Sequence, residues 1–136
     1  MYIFYGVFRC YGTYVLFADT MTYAHAAEDC ANRGGTLAMA TDDTTFNILR
    51  LMFNGYTSDV SKPVSAAWVD GIDTSGSGFQ CATLDAACPP TMPWSSGEPS
   101  GGGDLHNCAN VKASLALTGL SDNNCDTQFV RICDIP

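Results

Sequence analysis

Basic residues are scarce in this sequence, and charge of either sign is sparse. Only six of 136 residues are Lys or Arg, against 14 Asp and Glu, and the formal net charge is −8. An anionic surface repels phosphate backbones and acidic lipid head groups, so we expect no nucleic acid partner. Excess carboxylate suits a cation such as Ca²⁺, which takes oxygen ligands, although acidity can also serve solubility alone.

Long apolar runs and paired metal-binding motifs are also missing. No stretch reaches the ~18 apolar residues of a membrane-spanning helix, so we expect no membrane insertion. Residues 1–17 are aromatic and apolar, but Arg9 interrupts them and no small-residue cleavage site follows, which favours strand over signal peptide. The absence of paired Cys-x-x-Cys and of His-x3-His motifs argues against zinc.

The groups that hydrolytic catalysis needs are few. The chain has two His and no Gly-x-Ser-x-Gly nucleophile elbow. Ser100, Asp104 and His106 could be drawn as a triad, but all three fall in a glycine-rich stretch without a rigid scaffold. We therefore expect a binding protein and not an enzyme.

Cysteine, in contrast, is abundant, with seven residues in a short chain. Because no metal motif explains them, this density indicates disulfides and an oxidising compartment, and we expect a secreted, extracellular protein. Seven is an odd number, so at least one thiol stays free or pairs with another chain.

The order of apolar, polar and turn residues predicts an α+β fold in a single domain over residues 1–136. Two strands are expected over residues 2–17, with a break at Gly12. Helical spacing predicts one helix from the Thr20–Thr22 caps to Gly34-Gly35, and a second from Asp42-Asp43 to Asn54-Gly55. Further strands are expected over residues 36–40, 64–72, 107–111, 113–117 and 127–133.

A long segment between these strands has a different composition. From residue 74 to about residue 106 the chain is dominated by Gly, Ser, Pro, Thr and Cys. Structureless segments of this length are uncommon in a compact domain and are usually functional. We therefore expect the binding site in this long loop.

Five stretches between Tyr14 and Cys133 follow a recognisable order: Thr22–Cys30 with Gly34–Ala38, Ala67–Ile72, Pro93–Ser100, Asn107–Ala109 and Cys125 with Cys133. Together they resemble the C-type lectin-like domain family, in the order of its first helix, tryptophan strand, long-loop calcium segment, following strand and closing cysteine pair. The resemblance implies two helices packed on two small antiparallel sheets with a long irregular loop. The short form, as in invertebrate, tunicate-type lectins, is the nearest pattern.

The resemblance also implies how the cysteines pair. The family's disulfides map onto Cys30 with Cys133 and Cys108 with Cys125, which leaves Cys81 and Cys88 for a local pair in the long loop. Cys10 remains. It is either a buried free thiol or the source of an interchain disulfide in a homodimer.

A calcium site in the long loop is a further implication. Glu98 and Ser100 stand at the family's Glu-Pro-Asn or Gln-Pro-Asp positions around a cis proline, Pro99. Asp122 matches the Asp of the Trp-Asn-Asp motif, where Ser121 replaces Asn and Leu120 replaces Trp. The set of candidate metal ligands is Glu98, Ser100, Asp122, Ser121 and Asp104, the last because His106 stands where the family usually has Glu.

The function implied is a calcium-dependent lectin that binds the terminal monosaccharide of glycans. Its candidate sugar-binding residues are Glu98, Ser100, His106 and Asp122, and the glycine-rich run after Ser100 resembles galactose-adapted loops, which favours galactose or fucose. His106 is the candidate platform for a sugar face, or else an exposed loop residue. Trp68 and Trp94 are expected in the core, and His25 on an exposed helix face. The alternative is a calcium-independent module that binds a protein or a surface.

Overall fold

A computed structural model describes residues 7–74, 76, 78–99, 107–112 and 119–136. Two helices, α1 (Tyr23–Asn32) and α2 (Asp43–Asp59), lie early in the chain. The strands are β1 (Val7–Tyr11), β2 (Tyr14–Met21), β3 (Thr36–Leu37), β4 (Ala66–Asp73), β5 (Gln80–Cys81), β6 (Ala86–Ala87), β7 (Asn107–Lys112), β8 (Ser121–Asn124) and β9 (Phe129–Asp134). The predicted α+β class is confirmed. The strand expected over residues 113–117 lies outside the described residues.

The strands form two groups that meet in the middle of the molecule. On one side β1 pairs with β2, and β2 and β3 pair with β9; on the other, β4 pairs with β7 and β7 with β8, all antiparallel. A parallel pairing joins the groups, with Ala67 of β4 opposite Val130 of β9. The two expected sheets are therefore continuous at β4 and β9.

Helix α1 begins where the sequence predicts, because the Thr22 hydroxyl accepts a hydrogen bond from the His25 amide. Its buried face, Tyr23, Ala26 and Cys30, packs on a core cluster that includes Trp68. Trp68 is fully buried, contacts the Tyr23 ring edge-on at 5.6 Å and donates its indole N–H to the Met21 carbonyl at 3.0 Å. The prediction that Trp68 is a core residue is thus confirmed.

Helix α2 begins at its predicted cap, Asp42, but the predicted end at Asn54-Gly55 is wrong, since the helix continues to Asp59. Gly55 lies against the Arg9 side chain of β1. A Cβ at position 55 would stand 2.5 Å from Arg9 Nε, and the guanidinium donates to the Gly55 carbonyl at 3.2 Å and pairs with Asp59. The glycine permits a close approach between elements rather than a helix stop.

The long loop contains more regular structure than its composition predicts. Strands β5 and β6 form a small hairpin inside it, closed by the Cys81–Cys88 disulfide. Asp70, which is fully buried, anchors this hairpin: its carboxylate accepts from the amides of Ala82 and Thr83 at 3.0 and 2.9 Å and from the Thr83 hydroxyl at 2.6 Å.

The disulfides follow the pairing that the resemblance implies. Cys30 is joined to Cys133, Cys108 to Cys125 and Cys81 to Cys88. Cys10 is a free thiol on β1, but it is exposed, so the expectation of a buried thiol is wrong. None of the helices in the described part of the chain is long and apolar enough to cross a membrane.

Candidate functional site

Two segments that are far apart in sequence run side by side at the end of the long loop. The Ser95 amide donates to the Leu120 carbonyl at 2.9 Å, and the Leu120 amide donates to the Pro93 carbonyl at 2.8 Å. Trp94 and Leu120 thereby form a parallel bridge. These bonds fix the position of the loop segment 93–98 against the start of β8.

A serine and a glycine allow the close approach. The Gly119 amide donates to the Ser95 hydroxyl at 2.7 Å, and Ser95 is only 3% exposed. A Cβ at position 119 would stand 2.3 Å from the Pro93 carbonyl oxygen, which is backbone and cannot rotate away. No local signal identifies this pair, because its members are 24 residues apart.

Glu98 completes the contact between the loop segment 93–98 and β8. Its amide donates to the Ser95 carbonyl at 2.8 Å, and the Glu98-Pro99 peptide bond is cis. One carboxylate oxygen, Oε2, accepts from the Ser121 hydroxyl and from the Asp122 amide, both at 3.1 Å. The loop carboxylate therefore lies directly against two consecutive residues of β8.

Among the candidate site residues, the structure brings Glu98, Ser121 and Asp122 together. Ser121 and Asp122 are buried, at 3% and 6% exposure, whereas Glu98 is half-buried and open to solvent on one side. The other candidates, Ser100, Asp104 and His106, lie outside the described residues.

The aromatic side chains near the site pack against other side chains and are not exposed as a surface for a ligand. Trp94 is half-buried against the core and contacts Phe79 with ring centroids 4.8 Å apart. His25 is exposed on α1, as predicted. Within the described residues, neither Trp is a free platform for a ligand.

The comparisons with known proteins decide the family. The model of the lectin C-type domain matches residues 19–135. This chain belongs to the C-type lectin domain family. The family is generally non-enzymatic. No curated protein matches the chain by sequence.

Solved structures agree with this C-type lectin domain in fold. Human lithostathine superposes with a TM-score of 0.72 at 17% identity, covering 96% of both chains. The C-type lectin CEL-I from Cucumaria echinata gives 0.70 at 16% identity, covering 91% of both. A calcium-independent type II antifreeze protein gives 0.61 at 20% identity, covering 94% of this chain and 89% of that one.

The donor set of this C-type lectin domain suits a hard cation. In the described part of the site the Ser121 hydroxyl contacts the Glu98 carboxylate, with Asp122 held beside them through its backbone amide, and oxygen is what Ca²⁺ takes in proteins. No group of three or more His, Cys, Asp or Glu able to hold a metal occurs among the residues that the structure describes. The oxygen chemistry of Glu98 and its neighbour Asp122 therefore fits a calcium site only in part.

Proposed function

We propose that this chain is a calcium-dependent, carbohydrate-binding lectin and not an enzyme. The observation that carries the proposal is the Glu98 carboxylate held against Ser121 and Asp122 of β8, which are 23 and 24 residues away in sequence. The carboxylates of Glu98 and of Asp122, on two neighbouring segments, would attract a divalent ion, and an ion held by few protein oxygens keeps positions open for a ligand.

In this proposal Glu98 and Asp122 are the anionic calcium ligands, and Ser100 and Asp104 supply further oxygens. When bound, the ion would supply coordination positions for two neighbouring hydroxyls of a saccharide. Glu98, Ser100, His106 and Asp122 would hydrogen-bond the same hydroxyls, because carboxylates accept and a hydroxyl or imidazole can donate. With few carboxylates, we expect binding in the ~10⁻⁴–10⁻³ M calcium range typical of extracellular modules.

The ligand class that we propose is a terminal galactose or fucose of a glycan. The Glu98-Pro99-Ser100 sequence is followed by Gly101-Gly102-Gly103, and the resemblance of this glycine-rich run to galactose-adapted loops supports the choice. A glycan array probed in calcium and again in chelator tests this directly. Calcium-dependent binding confined to mannose-type glycans would contradict the choice.

A thermal melt with and without calcium tests the metal-binding part. A ligand that binds only the native state raises its stability by RT ln(1 + [L]/Kd), which is about 1.4 kcal/mol at tenfold saturation. We expect a Tm increase of roughly 5 °C in calcium that chelator reverses. Glu98→Ala and Asp122→Ala should abolish the increase, while Glu28→Ala, an exposed change on α1, should retain it.

The second candidate is a calcium-independent binding module. Two observations favour it: no group of three or more potential metal ligands occurs among the described residues, and one structural neighbour is a calcium-independent antifreeze protein. In that case calcium would not change the Tm of the wild type. Glu98→Ala would then lower the Tm equally with and without calcium, because only its hydrogen bonds to β8 would be lost.

An extracellular location and a disulfide-linked homodimer complete the proposal. Three disulfides support an oxidising compartment. Cys10 is an exposed thiol on β1, the strand at the end of the β1-β2-β9-β4 order, so a second copy can reach it. Non-reducing electrophoresis should show a dimer that reductant removes and that Cys10→Ser lacks; a monomer without reductant would contradict the dimer.

A further inference from the structure

The Ser121 hydroxyl has one proton, and the structure identifies the acceptor to which it donates that proton. Ser121 Oγ lies 3.1 Å from Glu98 Oε2, and a carboxylate can only accept, so the hydroxyl donates. The Asp122 amide donates to the same oxygen at 3.1 Å. Two donors therefore hold Oε2, whereas Oε1 has no hydrogen-bond partner among the described residues.

This arrangement limits what Ser121 can do for a ligand. Since its single proton is used within the protein, Ser121 cannot also donate to a saccharide hydroxyl. An amide side chain at this position would differ, because it carries two N–H donors and a carbonyl oxygen that can act at the same time. Ser121 is also only 3% exposed, so its lone pairs have little access to solvent.

We propose that Ser121 is a positioning residue that acts through Glu98. With the Asp122 amide, it holds the carboxylate by Oε2 and leaves Oε1 as the atom that contacts the cation or accepts from a ligand hydroxyl. Ser121 is then not itself a metal ligand, and a bound saccharide must be the hydrogen-bond donor at Glu98. The inference rests on the proposed function of the site for its ligand, but the positioning itself needs no metal.

Amide hydrogen exchange of the calcium-free protein tests the positioning. In Ser121→Ala we expect the Asp122 amide to exchange about tenfold faster, because hydrogen bonds to charged groups are among the stronger ones. Ser121→Thr, which keeps the hydroxyl, should restore protection. The exchange rate of the Ser95 amide, which donates to the Leu120 carbonyl, should not change in either variant and so reports an intact fold. Ser96→Ala, a change at an exposed neighbour, is the control variant and should leave amide exchange at its wild-type rate.

A double-mutant cycle makes the test independent of any one variant. Glu98→Ala removes the acceptor of both hydrogen bonds, so it should raise Asp122 exchange at least as much as Ser121→Ala. Adding Ser121→Ala to Glu98→Ala should raise the exchange no further, because the contact that Ser121 makes is already lost. Additive effects, or wild-type exchange in Ser121→Ala, would overturn the positioning role.

Calcium titration by calorimetry separates this inference from the proposed function. If both hold, Ser121→Ala binds calcium about tenfold more weakly and Ser121→Thr binds like wild type. If Ser121→Ala weakens calcium binding while Asp122 exchange stays at its wild-type value, Ser121 is a direct ligand and the inference is wrong. If the wild type binds no calcium but Asp122 exchange still responds, the positioning role stands and the calcium-dependent function fails.

Discussion

At the scale of single residues, a buried arginine is the most demanding polar group in the molecule. Arg131 is fully buried in β9, over the Phe17 ring at 4.8 Å. Its guanidinium donates to the Asp29 carboxylate at 2.6 and 2.8 Å and to the Asp19 carboxylate at 3.0 Å. A buried charge is tolerated only when it is paired, so removing one of these carboxylates should cost stability.

Acid should weaken this pairing. Partial burial acts to raise the pKa of Asp29, but hydrogen bonds from Arg33 and Arg131 outweigh it and hold that pKa below its ordinary value of 3.8. A lowered folded-state pKa means that the stabilisation is fully present above pH 3.8 and is lost as the pH falls through the lower value. The free energy of unfolding of the wild type should therefore decrease as the pH falls below 3.8.

Asp29→Asn tests that assignment. The substitution leaves Arg131 with one carboxylate, so we expect a loss of about 3 kcal/mol at neutral pH and a shallower decrease in acid, both measured by urea unfolding. Asp126→Asn, at an exposed aspartate, is the control and should change stability by less than about 0.5 kcal/mol. If the free energy of unfolding decreased equally in acid for wild type and Asp29→Asn, the pH dependence would arise from groups other than Asp29.

At the scale of elements, the contact between the 93–98 segment and β8 depends on a missing side chain. In Gly119→Ala the new Cβ would meet backbone atoms of Pro93, Trp94 and Ser95 at 2.3–2.7 Å, so the segments must separate. We expect a loss of about 2–3 kcal/mol and faster exchange of the Ser95 amide. Gly97→Ala is the matched control, because its Cβ meets nothing within 4 Å and only the backbone strain at φ +81° remains, about 1 kcal/mol. Equal exchange in the two variants would contradict the steric argument.

Local signals in the sequence predicted the elements, and contacts between distant segments decided the rest. Thr22 and Asp42 are caps that act within three residues, and both helix starts are where they predict. The helix end predicted at Gly55 was wrong because the side chain that requires a glycine there, Arg9, is 46 residues away in sequence. Likewise, the segment after Ile72 has the composition of a loop, and the buried Asp70 carboxylate, together with the Cys81–Cys88 disulfide, holds a hairpin there.

At the candidate site too, the sequence predicted some features, and contacts between distant segments decided the others. Glu98 and Asp122 were found through family resemblance, which records which positions come together without giving the contact. The role of Ser121 could not be read from residue type, because a serine is equally a ligand, a donor or a surface residue. Only the 3.1 Å contact with Glu98 Oε2 distinguishes these alternatives.

At the scale of the whole molecule, the three disulfides differ in how much chain each one restrains. Cys30–Cys133 joins residues 103 apart and ties α1 to β9, while Cys81–Cys88 joins residues 7 apart within one hairpin. In the chain-entropy model, the free energy that a crosslink contributes grows with the logarithm of loop length. The two bonds should therefore contribute about 4.7 and about 2.4 kcal/mol.

Paired Ala substitutions test this ranking by urea unfolding. The Cys81→Ala/Cys88→Ala protein should remain folded with reduced stability, since the Asp70 hydrogen bonds still hold its hairpin to β4. The Cys30→Ala/Cys133→Ala protein should lose at least twice as much, because both cysteines are fully buried and the unfolded chain regains the freedom of the whole domain. Similar losses for the two pairs would mean that local packing, rather than restraint of the unfolded chain, determines what each disulfide contributes.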